Sequence, residues 1–287
     1  MMKEENFQIQ CPAKINLSLD VVNRRSDGYH NLEMIMQEVS LFDTITFSVT
    51  TDVKDPQISL SSDNPELPTN ETNLIYKAAK LFFQKAEITA SARIHICQRI
   101  PMGAGLGGGS TDAAGTLAAL NGMYEEPLSI DALAVMAKSL GADVPFFLYG
   151  GCMLAEGIGE KLTPVSPLTN GFIVVAKPEV HVSTPWVYKN LVLDSSTVHP
   201  DTSAVITALE NGDIDLLAKS AGNVLESVTA KEYPEIEEYK NIMMESGAAY
   251  SLMSGSGSSV FGIFKEEASA RSAQERFKGL TDEVYIV

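Results

Sequence analysis

The chain has 287 residues, 45% hydrophobic and 20% charged, with a formal net charge of −16 at pH 7. That length supports a sizeable core in one large or two modest domains, and the composition is that of a soluble globular protein. The acidic balance excludes a surface built to grip nucleic acid, which is normally basic, and no run of about 18 apolar residues offers a membrane span.

The N-terminal M-M-K-E-E-N-F is acidic and lacks an apolar run, so no signal peptide is expected and a cytoplasmic location is. Alternation predicts strands over 7–11 and 13–21, with Pro12 between them. N-R-R-S-D-G-Y-H at 23–30 contains Asp27-Gly28, a strong hairpin signal. Strands are expected over 32–41, 43–51 and 57–60, followed by a loop over 63–72. Leu74, Ile75, Ala78, Ala79, Leu81 and Phe82 follow a helical period within 73–86, and 92–97 reads as a strand. After a glycine-rich stretch and its helix, Ser129 caps a helix reaching Leu140. Residues 146–156 read as an apolar strand region broken at Gly150-Gly151. Gly and Pro mark a connection over 156–171, which suggests two domains, 1–160 and 161–287. In the second, strands are expected over 172–176, 250–253, 260–264 and 283–287, and helices over 183–191, 203–210, 214–218, 231–246 and 266–277. Strands and helices cluster instead of alternating, so the fold class is α+β. Cys11, Cys97 and Cys152 show no C-x-x-C spacing and read as reduced thiols.

The stretch that carries the most chemistry is I-P-M-G-A-G-L-G-G-G-S-T-D-A-A-G-T-L-A-A-L, Ile100 to Leu120. Glycines allow left-handed torsions and close approach of a ligand to the main chain. Ser110, Thr111 and Asp112 are helix-capping residue types, and an apolar helix pattern follows them. Together they predict a loop of N–H groups feeding a helix N-terminus, an anion site suited to phosphate. The loop G-x-x-x-x-G-K-[ST] is excluded, because no lysine follows these glycines. Gly103, Gly105 and Gly108 meet G-x-G-x-x-G, but a second helix follows where a βαβ unit needs a strand.

Four further segments have two readings each on residues alone. In C-P-A-K-I-N-L-S-L, Lys14, Asn16 and Ser18 share one strand face, either solvated or functional. The Tyr29-His30 pair is either a hairpin tip or a ring-binding turn. In G-A-D-V-P-F-F, Asp143 is either part of a helix-ending turn or a carboxylate held near the core. S-L-M-S-G-S-G-S-S-V-F-G at 251–262 is a plain hairpin or a second loop lying beside the first.

Pro101 to Ala114 closely resembles the phosphate loop of the GHMP kinase superfamily, and the other segments occur in that family's order and spacing. P-A-K-I-N-L and R-x-D-G-Y-H resemble the branch acting on a cytidine-diphosphate-linked alcohol. The resemblance spans essentially the whole chain, and is less distinctive over 184–193. It implies a two-domain fold, an N-terminal ATP-binding domain and a C-terminal domain, with an active-site cleft between them. It implies transfer of the γ-phosphoryl of ATP to the 2-hydroxyl of CDP-linked methylerythritol, on the methylerythritol phosphate route to isoprenoid precursors. Lys14 and Asp143 would be the catalytic pair. Pro101, Met102, Gly103, Ala104, Gly105, Leu106, Gly107, Gly108, Gly109, Ser110 and Thr111 would hold the ATP phosphates. Tyr29 and His30 would hold cytosine, Tyr188 would add an aromatic face, and Asn16 would position the methylerythritol. Mg²⁺ would accompany ATP without a dedicated set of protein ligands. The partners expected are ATP and the CDP-alcohol, with no nucleic acid and no membrane, for a monomer or homodimer.

Two rivals stand against this. Another member of the superfamily, acting on homoserine, mevalonate or a sugar, has no use for a cytosine-holding turn. A non-catalytic nucleotide-binding module has no use for both Lys14 and Asp143.

Overall fold

Alternating side chains make Glu4–Arg24 one unbroken strand, β1, in the computed structural model of the chain, which describes residues 4–51 and 53–287. The expected break at Pro12 is absent. Among the described residues its ladder partner is β2, His30–Thr51, and a strand paired on one side tolerates proline where the missing N–H faces away. β2 also runs through where two strands were expected. Asp43 does not end it, because its buried carboxylate accepts the N–H groups of Arg99 and Ile100. The turn between β1 and β2 falls at Asp27-Gly28 as expected, with Gly28 at φ 90°.

The chain packs as two units that are interleaved along the sequence, whereas the sequence suggested a single cut near 160. The first comprises residues up to Ala13, Ser40–Met102 and Gly107–Tyr149. In it the second half of β2 pairs antiparallel with β4, Ala90–Cys97, from Thr44 opposite Cys97 to Thr51 opposite Ala90. The short β3, Ile58–Ser62, adds to β4 in parallel. Four helices pack with these strands: α1, Leu74–Lys85; α2, Gly108–Met123; α3, Ile130–Leu140; and α4, Val144–Tyr149. Asn73 and Ser129 cap α1 and α3, accepting the N–H groups of Ile75 at 2.8 Å and Ala132 at 3.3 Å. α2 is apolar and small-sided on several faces, so it is buried among the others. Phe47, Phe82, Ile45, Ile94, Leu117 and Leu120 form the centre of the core.

α4 corrects the expected strand over 146–156. A short apolar run does not distinguish strand from buried helix, and Pro145 sits in the first helical turn, where its missing N–H costs nothing. Only the segment after Gly150-Gly151 is a strand.

The second unit comprises Lys14–Val39, Gly103–Leu106 and Gly150–Val287. The first half of β2 pairs with β5, Cys152–Gly157, and β5 with β6, Lys161–Pro164, a strand inside the stretch that reads as a connection. A separate four-stranded sheet has the order β10-β7-β9-β8, from β7, Phe172–Ala176; β8, Tyr250–Met253; β9, Val260–Phe264; and β10, Val284–Ile286. Its helices are α5, Thr184–Asn190; α6, Thr202–Asn211; α7, Ile214–Ser220; α8, Glu226–Glu232; α9, Glu235–Glu245; and α10, Glu267–Arg276. The single helix expected over 231–246 is two, because Pro234 cannot continue α8 and instead begins α9. α9 and α10 cover the sheet.

Within the first unit α2 lies so close to β1 that a Cβ at Gly115 would overlap the sulfur of buried Cys11. Gly115→Ala should therefore destabilise the protein by about 1–3 kcal/mol despite alanine's better helix propensity. Cys11→Ala in the same chain should recover most of that loss. Urea unfolding of the three variants measures both effects.

Candidate active site

The glycine stretch starts from buried anchors, Ile100 and Pro101, and Met102 is exposed. Gly103, Gly105 and Gly107 have φ of 61°, 77° and 76°, a left-handed sequence that only glycine adopts without strain. In the first unit, Gly107 is the N-cap of α2, and its carbonyl accepts the N–H groups of Ser110 and Thr111 at 3.0 and 2.9 Å. The expected helix start at Ser110 is thus corrected to Gly108. Ser110, Thr111 and Asp112 lie inside the helix rather than capping it. α2 has no side-chain cap and no acidic residue in its first turn. Its leading N–H groups keep their positive end unneutralised by any cap, as an anion site requires.

In the second unit, Gly103–Leu106 is held by backbone. Lys14 N donates to Leu106 O at 2.9 Å, and Ser259 N to Ala104 O at 3.0 Å. Ser254 Oγ donates to Gly105 O at 3.0 Å, and a Cβ at Gly105 would fall on the Ser254 carbonyl oxygen. The 251–262 segment is therefore the second loop lying beside the first, between β8 and β9. Side chains hold it from below. Asn223 Nδ2 donates to Met253 O and Gly255 O at 2.7 and 2.8 Å, and Thr229 Oγ1 to Ser256 O at 3.2 Å. Glu226 accepts Met253 N and the Lys240 ammonium, both at 2.6 Å. Burial pushes the Glu226 carboxyl up, and Lys240 opposes that.

Lys14 and Asn16 sit against this loop pair. Their face of β1 is buried rather than solvated: Lys14 is 4% exposed and Asn16 1%. Lys14 Nζ donates to Asn16 Oδ1 at 2.6 Å. A Cβ at Gly255 would stand 3.5 Å from Lys14 Nζ, Asn16 Oδ1 and Gly105 O alike, so all three groups converge on one point of the second loop. A buried ammonium is costly unless hydrogen-bonded, so its placement here is a specific feature.

The structure joins His30 to Tyr188 rather than to its neighbour Tyr29. The His30 and Tyr188 rings stack with centroids 5.2 Å apart at 29°. Tyr29 is 63% exposed at the hairpin tip, where its N–H donates to Asp27. Partial burial, with the Arg24 charge, lowers the His30 pKa and so favours the neutral ring. α5 is linked to the second loop through Thr184 and Ser256 hydroxyls 2.7 Å apart. Asp143 belongs to the first unit, immediately before α4, and α4 packs on α2.

Sequence reasoning missed Asn223, Thr229 and Glu226, which carry no local motif and act only through the loop they hold. It also missed the burial of Asp43 and Asp112, which depends on packing. No cluster of three or more His, Cys, Asp or Glu suited to a metal ion exists among the described residues.

Residues 73–151 match the family described as GHMP kinases N terminal domain, and 205–280 match GHMP kinases C terminal. The chain is 45% identical to the 4-diphosphocytidyl-2-C-methyl-D-erythritol kinase of Alkaliphilus metalliredigens, over 99% of this chain and 96% of that one. Its identity to the enzyme of that name from Acetivibrio thermocellus is 43%, covering 98% of each. A solved structure of 4-(cytidine 5'-diphospho)-2C-methyl-D-erythritol kinase, 35% identical, matches with a TM-score of 0.82 over 98% of both chains. The chain belongs to the GHMP kinases, in the family of the 4-diphosphocytidyl-2-C-methyl-D-erythritol kinases.

Proposed function

We propose that this chain transfers the γ-phosphoryl of ATP to the 2-hydroxyl of 4-diphosphocytidyl-2-C-methyl-D-erythritol, with Lys14 and Asp143 as its catalytic pair. The observation that carries the reading is the uncapped, glycine-led start of α2 joined to a loop packed against Lys14 and Asn16. Main-chain N–H groups from 103–111 would take the ATP phosphates. Asn16 would orient the methylerythritol. His30, Tyr188 and Tyr29 would take the cytosine, the neutral His30 ring reaching its pairing edge.

Phosphoryl transfer depends chiefly on positioning and on stabilising charge. The acceptor is a tertiary alcohol, crowded and weakly acidic. Asp143 would hold this hydroxyl and accept its proton late in transfer. Lys14 would keep Asp143 ionised and stabilise charge growing on the acceptor oxygen. Mg²⁺ brought in with ATP would offset the charge of the phosphates. Ser110 or Thr111, in the first turn of α2, would supply it a hard oxygen donor. The reading places the protein in the cytoplasm and keeps it off nucleic acid and membranes; as a monomer or homodimer it would need no further partner.

ADP release from Mg-ATP with a panel of acceptors tests the substrate. The CDP-alcohol should give the highest kcat/KM, and a higher value for homoserine or mevalonate would overturn the assignment. The pair is tested by a double-mutant cycle. Asp143→Asn and Lys14→Ala should each lower kcat by about 10²–10⁴ with both substrates still bound. The double variant should be little worse than either single one, because groups acting as a unit are not additive. Multiplicative losses would mean independent roles.

A further inference from the structure

The glycine stretch carries no basic side chain: from Ile100 to Leu120 there is no Lys, Arg or His. Any ammonium, guanidinium or imidazole beside it comes from elsewhere in the fold. Within the second unit, Lys14 and His181 both meet Gly103–Leu106. At one end Lys14 donates its backbone N–H to Leu106 O. At the other, His181 lies over Gly103. Its Cε1 and Nδ1 are 3.1 and 3.2 Å from where a Cβ at position 103 would stand. The other ring atoms, Nε2 included, are beyond 4 Å of that point. One edge of the ring therefore rests on Gly103, and Nε2 is directed off it. Gly103 needs its missing side chain twice, for a φ of 61° and for the ring upon it.

The segment that carries His181 is held at both ends. After β7, Lys177 N donates to Glu283 O at 3.0 Å and Thr281 Oγ1 to Lys177 O at 2.8 Å. The Lys177 ammonium pairs with the Glu283 carboxylate at 2.9 Å. Val180 N donates to Pro178 O at 2.7 Å, a tight turn just before the histidine. Val182 is buried, and the Thr184 hydroxyl meets that of Ser256 in the second loop. Between these anchors His181 is exposed. A side chain presented from an anchored segment leaves less freedom to be lost on binding.

We propose that His181 is a binding residue for ATP, its Nε2–H donating to a phosphate oxygen at the head of the glycine loop. The inference rests on reading 101–111 as the phosphate loop. A neutral imidazole has one N–H and an imidazolium two, so a donor is present in either state. In a chain of net charge −16, His181 adds a side-chain donor for a polyanion without a fixed positive charge. The main-chain N–H groups further along the loop take the remaining phosphate oxygens.

Calorimetry with a non-hydrolysable ATP analogue and Mg²⁺ tests this on the wild type and on His181→Ala, His181→Phe and His181→Gln. The alanine variant lacks ring and donor, the phenylalanine variant keeps a ring on Gly103 without a donor, and the glutamine variant keeps an N–H. His181→Ala and His181→Phe should bind the analogue roughly tenfold more weakly, the effect of one lost hydrogen bond to a charged group. His181→Gln should recover most of that loss. Affinity for the CDP-alcohol should be unchanged throughout. In turnover the loss should appear in KM for ATP, with kcat nearly kept. The chain has four histidines, so the His181 imidazole resonances are those missing from the spectrum of His181→Gln. In the wild type they should shift when the analogue binds. Wild-type affinity in His181→Phe would mean that the ring only packs on Gly103, and would overturn the proposal. So would full affinity in His181→Ala, an equal loss for the CDP-alcohol, or His181 resonances unmoved by a bound analogue. Should His181→Ala and His181→Phe not fold, His181→Gln and the resonances decide. A wild type that binds no analogue would instead overturn the phosphate-loop reading, and the His181 contact with it.

Discussion

The contact on which the second unit's pair of loops depends is backbone against backbone at Gly105. No side chain fits between its α-carbon and the Ser254 carbonyl, and the Ser254 hydroxyl closes the gap by donating to the Gly105 carbonyl. The same hydroxyl accepts the N–H of Asn16 at 3.3 Å, so one serine joins the two loops and β1. Everything polar nearby is arranged around that packing. Lys14 and Asn16 face Gly255, and Asn223, Thr229 and Glu226 hold the 253–256 backbone from behind. The side chains are thus secured by hydrogen bonds and burial before any ligand arrives, which is the condition for electrostatic preorganisation.

A chain with a net charge of −16 has to accept ATP without a basic surface. Under the proposed function its means would be local. α2 starts without an acidic residue in its first turn, and the glycines leave its N–H groups approachable. A single ammonium, Lys14, is buried where its field is screened little by water.

Much of this was legible in the sequence, and the gaps have physical causes. β8 and β9 fall on the residues expected, because two short apolar runs flank the Gly/Ser turn at 254–259. The Ser129 cap was readable from residue type, and the helix after Asn73 from its period. The failures were of three kinds. Pro12 and Asp43 look like strand breakers, and only a sheet can supply the arrangement that tolerates them. V-P-F-F-L-Y is too short for its period to decide between strand and helix, and packing on α2 decides it. In the site, Lys14, Asn16 and the glycine loop were found because their types and order form a motif. The burial of the Lys14 face was left open, since it depends on a loop more than two hundred residues away in sequence. The pairing of His30 with Tyr188 instead of Tyr29 is likewise a tertiary result.

The central claim is that main-chain groups of this loop hold the triphosphate. A crystal structure with Mg²⁺ and a non-hydrolysable ATP analogue tests it most directly. The account predicts β- and γ-phosphate oxygens within about 2.7–3.2 Å of backbone nitrogens between Gly105 and Thr111. An analogue whose phosphates lie elsewhere, with those N–H groups unengaged, would contradict it.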